Sequence, residues 1–229
     1  MTAPGTAPGI AVIDYGRGNL FSIARALDHI GASYRVTADP AAVAAAEALI
    51  LPGVGAFRDA MAALTRAGLT EPITRAAEAG TPLLGICLGM QLLFDRSTEF
   101  GESDGLGLIP GRVERLPEGD GGREETRIPN VGWRRLEVNG VPGRYDPLTA
   151  AIAPGAMFYF VHSYVPAPED PADVLATIPV NGRDAAVMVR RGNVAGCQFH
   201  PEKSAAAGLT LLKGFLDWVA DGEVLRRSA

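Results

Sequence analysis

The run Gly85-Ile86-Cys87-Leu88-Gly89 constrains the fold of this chain more than any other stretch. It follows the apolar Pro82-Leu83-Leu84 and precedes the amphipathic Met90-Gln91-Leu92-Leu93-Phe94, so a strand, a sharp turn and a helix are predicted in that order. A cysteine with glycine two residues away on each side is the thiol counterpart of the G-x-S-x-G nucleophile elbow. The glycines suit a strained turn that brings backbone and neighbouring elements close together. Cys87 is then expected at a helix N-terminus, where unpaired N–H groups and the helix dipole favour a thiolate. A small buried cysteine in a glycine-rich turn is the plainer alternative.

A second motif, Gln198-Phe199-His200-Pro201-Glu202, raises the weight of the first. In extended chain, residues i and i+2 point to the same side. Pro201 keeps this region out of helix, so His200 and Glu202 are expected side by side, with Glu202 orienting the imidazole. Cys87, His200 and Glu202 then supply a nucleophile, a base and an orienter. A strand-end histidine and a solvated acid are each common, but both beside an elbow cysteine, in a chain with 3 histidines, are a rarer coincidence.

The first half alternates strand-like and helix-like segments. Ile10 to Asp14 reads as a strand. Leu20 to Ile30 carries apolar residues at helical spacing, with Asn19 as N-cap and Gly31 as the stop. Ser33 to Thr37 and Ala48 to Leu51 read as strands, and Phe57 to Ala67 and Glu71 to Ala79 as helices. This order predicts an α/β fold: one open, mainly parallel twisted sheet flanked by helices. Sites in such sheets lie at C-terminal strand ends, where Gly53, Val54 and Cys87 fall. The second half offers strand candidates at Arg112–Leu116, Trp133–Val138, Met157–Val161, Val174–Ile178, Ala186–Arg190 and Val194–Phe199, closely spaced enough for antiparallel additions. Pro117 to Gly122 is a turn-rich loop, and Ala205 to Ala220 is the last helix. The expected organisation is a tail over 1–9, one domain over 10–221 and a tail over 222–229.

Within this frame, Pro52-Gly53-Val54-Gly55 follows a buried strand, and its glycines allow close approach of a ligand. A thiol acyl-transfer site needs two donors for the oxyanion. The N–H of Leu88 is one by elbow geometry, and an N–H of the Gly53–Val54 segment is the second. Gln91, four residues after Cys87, projects from the same helix face toward a polar substrate. His162, in Phe158-Tyr159-Phe160-Val161-His162-Ser163-Tyr164, reads better as a structural group at a strand end than as another catalytic histidine.

Net charge −5 argues against a nucleic-acid surface. Two cysteines without C-x-x-C spacing and three dispersed histidines form neither a disulfide framework nor a metal set, and no dinucleotide fingerprint follows the first strand. Neither cofactor nor metal is expected. No apolar run is long enough to span a bilayer, the start lacks the pattern of a leader, and a catalytic thiolate suits a reducing cytoplasm.

Taken together, the motifs resemble the class I, triad-type glutamine amidotransferases. Within them they are most similar to the family of glutaminase subunits of imidazole glycerol phosphate synthases. The signs are Asp14-Tyr15-Gly16 with Gly18-Asn19-Leu20, Leu51 to Phe57, Gly132-Trp133, Phe158 to Tyr164, and Glu202-Lys203-Ser204 after the His-Pro. The resemblance spans about Ile10 to Trp218. It implies hydrolysis of L-glutamine through Cys87, with His200 as acid/base and Glu202 as orienter. The ammonia would pass to a β/α-barrel synthase partner in a heterodimer serving histidine biosynthesis. Gln91, Glu99, Ser163 and Tyr164, with Gly53 and Gly55, match the substrate-binding segments, and Asn19 and Lys203 the partner interface. The glutaminases of anthranilate or aminodeoxychorismate synthase are the alternative; Asp14-Tyr15-Gly16 and Glu202-Lys203-Ser204 weigh against them. Two positions depart from the pattern: Asn130, where many relatives carry histidine, and Val165, where a second tyrosine is common.

Overall fold

The computed structural model describes residues 9–119, 125–138, 146–150 and 152–227. Most of the predicted tail over 1–9 and part of the Pro117–Gly122 loop lie outside them. The first half runs β1 (Ile10–Ile13), α1 (Leu20–His29), β2 (Tyr34–Thr37), α2 (Pro40–Ala44), β3 (Ala48–Gly53), α3 (Phe57–Arg66), α4 (Thr70–Glu78), β4 (Leu83–Cys87) and α5 (Leu88–Gln91). There follow β5 (Phe94–Ser97), β6 (Ser103–Asp104), β7 (Ile109–Arg115), β8 (Asn130–Arg135), β9 (Glu137–Val138), α6 (Pro147–Ala150), β10 (Met157–His162) and β11 (Tyr164–Pro168). The chain closes with β12 (Val174–Val180), β13 (Arg183–Arg191), β14 (Val194–Cys197) and α7 (Ala205–Arg227).

An eight-stranded sheet in the order β2-β1-β3-β4-β14-β13-β12-β9 forms the centre. From β2 to β14 neighbours are parallel; from β14 to β9 they are antiparallel. The inner strands are buried on both faces, which is why they read as continuous apolar runs. Their alternate side chains feed two cores. Ile10, Val12, Ala48 and Ile50 face one, with Ile23 and Leu27 of α1 and Leu212 and Phe215 of α7. Ala11, Ile13, Leu49 and Leu51 face the other, with Leu64 of α3 and Ile73 of α4. Helices therefore cover both faces of a mainly parallel sheet, as predicted. A four-stranded sheet, β11-β7-β5-β6, and the antiparallel pair β10-β8 are the additions.

Three local expectations are corrected. The helix after the elbow is a single turn, Leu88–Gln91, and does not include Leu92, Leu93 and Phe94. Those residues are wholly buried, and the carbonyl of Leu93 takes the N–H groups of Leu108 and Ile109, so tertiary strand contacts override the helical pattern. The dipole invoked for Cys87 shrinks with that helix to the unpaired N–H groups of one turn. Trp133–Val138 is not one strand: β8 pairs with β10 while β9 joins the central sheet. The last helix continues past Ala220 to Arg227.

Register sets the position of the site. Gly53 lies opposite Cys87, and Cys197 lies opposite Ile86. The C-terminal ends of β3, β4 and β14 thus converge, bringing positions 53–55, 87–88 and 198–200 together.

Candidate active site

Cys87 has φ 55° and ψ −113°, an unusual conformation for a residue with a side chain. Its flanking glycines are sterically required. A Cβ at Gly89 would collide with the carbonyl oxygen of Leu51, and one at Gly85 would sit 2.7 Å from the carbonyl oxygen of Gly89. The elbow is held against β3 with no room for side chains on either flank. Gly53 is crowded in the same way, since a Cβ there would lie 2.7 Å from both the Tyr15 hydroxyl and the Gly89 nitrogen.

Tyr15 has a role that its motif alone does not disclose. Its buried hydroxyl donates to the carbonyl oxygen of Pro52 at 2.9 Å, pinning the start of the Pro52–Gly55 segment. Burial, and then the neighbouring Cys87, push the phenol's pKa up, so it remains a donor at any ordinary pH.

His200 is extended, but Glu202 does not follow it along a strand. Pro201 opens a one-turn 3₁₀ helix, Pro201–Lys203, and that turn swings the carboxylate back under the ring. This corrects the expected i, i+2 extended geometry while keeping its result: the Nδ1 of His200 and the Oε1 of Glu202 are 2.9 Å apart, with both side chains buried. The backbone N–H of His200 donates to the Tyr159 carbonyl, and its own carbonyl accepts from the Ser204 hydroxyl at 2.6 Å. With Nδ1 so engaged, Nε2 is buried and has no hydrogen-bond partner among the described residues. Burial disfavours the imidazolium, but interactions with Cys87 and Glu202 outweigh it and push His200 up to about 9.

Cys87 and His200 open into one cavity of about 280 Å³. Val54, Gly55, Leu88, Gln91, Glu99, Ser163 and Tyr164 also line it, alongside Pro129, Val161 and His162. Gly53 backs the cavity from the strand end and is not in its wall. Gln91 is less free than expected, because its Nε2 donates both to the Tyr164 carbonyl at 3.1 Å and to the Oε1 of Gln198 at 2.9 Å. That leaves its carbonyl oxygen for a ligand. Glu99 uses Oε2 to accept the N–H of Phe57 at the start of α3, leaving Oε1.

His162 also borders the cavity, but both of its ring nitrogens are engaged within the fold. Its Nδ1 donates to the Tyr164 carbonyl at 2.9 Å, and its Nε2 accepts from the Asn130 amide at 2.9 Å. Burial, only partly offset by the bond to Tyr164, lowers its pKa to about 4. Asn130 fits because its amide nitrogen serves His162 while its oxygen accepts from Arg134 at 3.1 Å. Asn19 occupies the N-cap position of α1 without capping it; its amide donates instead to the Oε1 of Glu202 at 3.3 Å. Lys203 lies over the Tyr159 ring at 6.0 Å, outside the cavity. The residue that sequence reasoning missed most clearly is Gln198, wholly buried, whose Nε2 lies 3.7 Å from the Cys87 sulfur. Its place just before Phe199-His200-Pro201-Glu202 was the available signal.

A thiol at a strained strand end, facing an imidazole whose far nitrogen is held by a carboxylate, is the equipment of acyl transfer from an amide. The chain belongs to the class I glutamine amidotransferases, whose family model matches residues 11–217. Among curated proteins it is similar to imidazole glycerol phosphate synthase subunit HisH of Syntrophotalea carbinolica, with 50% identity over 91% of this chain and 99% of that protein. The subunit of the same name from Methylococcus capsulatus is 52% identical over 91% of this chain and 96% of its own length. A solved glutamine amidotransferase structure shares the fold at a TM-score of 0.68 and 22% identity, covering 92% of this chain and 98% of that one.

Proposed function

We propose that this chain is the glutaminase subunit of an imidazole glycerol phosphate synthase. The observation that carries the chemistry is Cys87, held at positive φ in the same cavity wall as His200, whose Nδ1 is fixed by Glu202. Roughly half identity to HisH subunits along nearly the whole chain supports the choice of synthase.

In this reading the Cys87 thiolate attacks the side-chain amide carbon of L-glutamine. The developing oxyanion is received by the N–H of Leu88 and an N–H of the Gly53–Val54 segment. His200 delivers the Nε2 proton to the departing nitrogen, and ammonia leaves. A water that gives its proton back to Nε2 then hydrolyses the γ-glutamyl thioester, releasing glutamate and restoring the thiolate. The oxygens left free on Gln91 and Glu99 suit the substrate's ammonium, and Ser163 and Tyr164 line the same cavity. Ammonia passes to a β/α-barrel partner, which Asn19 and Lys203 face; no cofactor or metal takes part, and the thiol is kept reduced in the cytoplasm.

The partner also supplies control. Gly55 has φ 99°, and two glycines flank Val54, so the peptide that completes the oxyanion hole can turn at low steric cost. An unformed hole lowers the rate by about a hundred- to a thousandfold. Steady-state glutamine hydrolysis by the purified chain, measured with and without the barrel subunit and its nucleotide ligand, tests this. Strong stimulation by the two together is expected; full activity of the chain alone, unchanged on adding both, would refute the gated hole.

A further inference from the structure

From the cavity wall at Tyr164 and Gln91, a row of buried groups runs to Gln198 and ends at the Cys87 sulfur. Gln198 has no exposed surface, and its backbone N–H is fixed to the Val187 carbonyl at 2.9 Å. Its Nε2 lies 3.7 Å from the Sγ of Cys87, and its Oε1 accepts from the Nε2 of Gln91 at 2.9 Å. The orientation of both amides follows from the far end of the row. The Tyr164 carbonyl can only accept, so the Gln91 atom 3.1 Å from it is the nitrogen. That nitrogen's other N–H must then meet the oxygen of Gln198, which turns the Gln198 N–H toward the sulfur. The Tyr164 carbonyl also takes the Nδ1–H of His162, so the anchor is held from two sides.

We propose that Gln198 is a further catalytic residue, donating a hydrogen bond to the Cys87 sulfur, and that Gln91 is the positioning residue that keeps its amide turned that way. A neutral N–H aimed at a nearly buried sulfur favours the anion, because hydrogen bonds to ionised acceptors are about twice as strong as neutral ones. It does so without a proton that titrates near neutrality. The titratable groups that act on this sulfur are His200 and Tyr15, with Cys197 and Glu202 nearby. Gln198 adds a fixed dipole from a side chain that is fully buried and does not line the cavity.

The inference rests on reading Cys87 as the nucleophile, yet its deciding readout, alkylation of the sulfur, needs neither glutamine nor partner. The probe is iodoacetamide, whose iodide the thiolate displaces, with Cys87→Ala as the background. Alkylation of Gln198→Met at neutral pH should be about tenfold slower than in the parent, the factor produced by roughly 1.4 kcal/mol of lost anion stabilisation. The maximal rate of glutamine hydrolysis should fall with it, while KM changes little. Gln198→Leu also removes the N–H and introduces no other donor; it should alkylate as slowly, and it decides the matter if the Met variant does not fold. Folded variants that alkylate within about twofold of the parent, whatever their melting temperatures, would overturn the proposal. A parent that alkylates as expected but never hydrolyses glutamine would instead contradict the glutaminase reading.

Discussion

Asn19 and Glu202, 183 positions apart in the chain, share a hydrogen bond of 3.3 Å, so the loop ahead of α1 touches the same carboxylate oxygen that holds His200. The carboxylate's other oxygen is buried without a partner among the described residues, which makes its orientation depend on these two donors. A graded series of variants should follow. His200→Ala removes the proton carrier and should lower the glutaminase rate by about 10²–10⁴. Glu202→Gln should be milder, and Asn19→Ala milder again, within about tenfold, since it removes one neutral donor. Rates on folded proteins in complex with the barrel subunit check the order. Equal loss in the Glu202 and His200 variants would end the orienter role.

His200 is held protonated by what surrounds it. With its pKa near 9, and with Cys87 and Glu202 as the causes that overcome burial, removing either partner should bring it down. NMR titration of the His200 ring in the parent, Cys87→Ala and Glu202→Gln proteins should show the two variants titrating at lower pH. The interaction also contributes to stability: it is fully present below the unfolded value near 6.5 and is lost as pH rises through about 9.

His162 acts in the opposite direction. Its folded pKa of about 4 lies below the unfolded value near 6.5, so the unfolded chain takes up the proton first. The stability it contributes is present above pH 6.5 and lost as pH falls through 4, on the order of 3 kcal/mol in all. Denaturant melts across this window should show that loss in the parent, and a shallower one in His162→Gln.

The parallel half of the fold is legible because buried strands, glycine stops and helical spacing all agree there, as at Ile10–Ile13 and Leu20–His29. Cys87, Val54 and His200 are legible because glycines bracket the first two and a proline follows the third, and Gln91 by its spacing from Cys87, whereas the cavity-lining Glu99 and Ser163 are placed by the family resemblance alone. What escaped is tertiary. Leu92 to Phe94 carry a helical pattern that strand contacts with Leu108 and Ile109 override. The turn at Pro201–Lys203 returns Glu202 to His200 by a route that the period-2 pattern does not describe. Gln198 looks like any polar residue at a strand end until β14 is laid beside β4. Tyr15 likewise becomes a clamp only when β1 and β3 are neighbours.

The elbow stores strain that a substitution can release. Cys87 at φ 55° and ψ −113° occupies a region that glycine enters freely. Cys87→Gly should therefore be more stable than Cys87→Ala by about 1 kcal/mol, strain relief outweighing the greater flexibility of unfolded glycine. Gly89→Ala should go the other way and fold poorly, because its methyl would meet the Leu51 carbonyl oxygen. Urea midpoints of the three variants check both statements.

The central claim is that glutamine is cleaved through a covalent bond to Cys87. Its most direct test is intact-protein mass spectrometry of the chain, in complex with a barrel subunit and acid-quenched during turnover. The parent should gain the mass of one glutamyl group, located on Cys87 by peptide mapping, while Cys87→Ala gains none and hydrolyses no glutamine. Turnover with no adduct on Cys87, together with a Cys87→Ala variant active within about tenfold of the parent, a difference of only about 1.4 kcal/mol in barrier, would contradict the account.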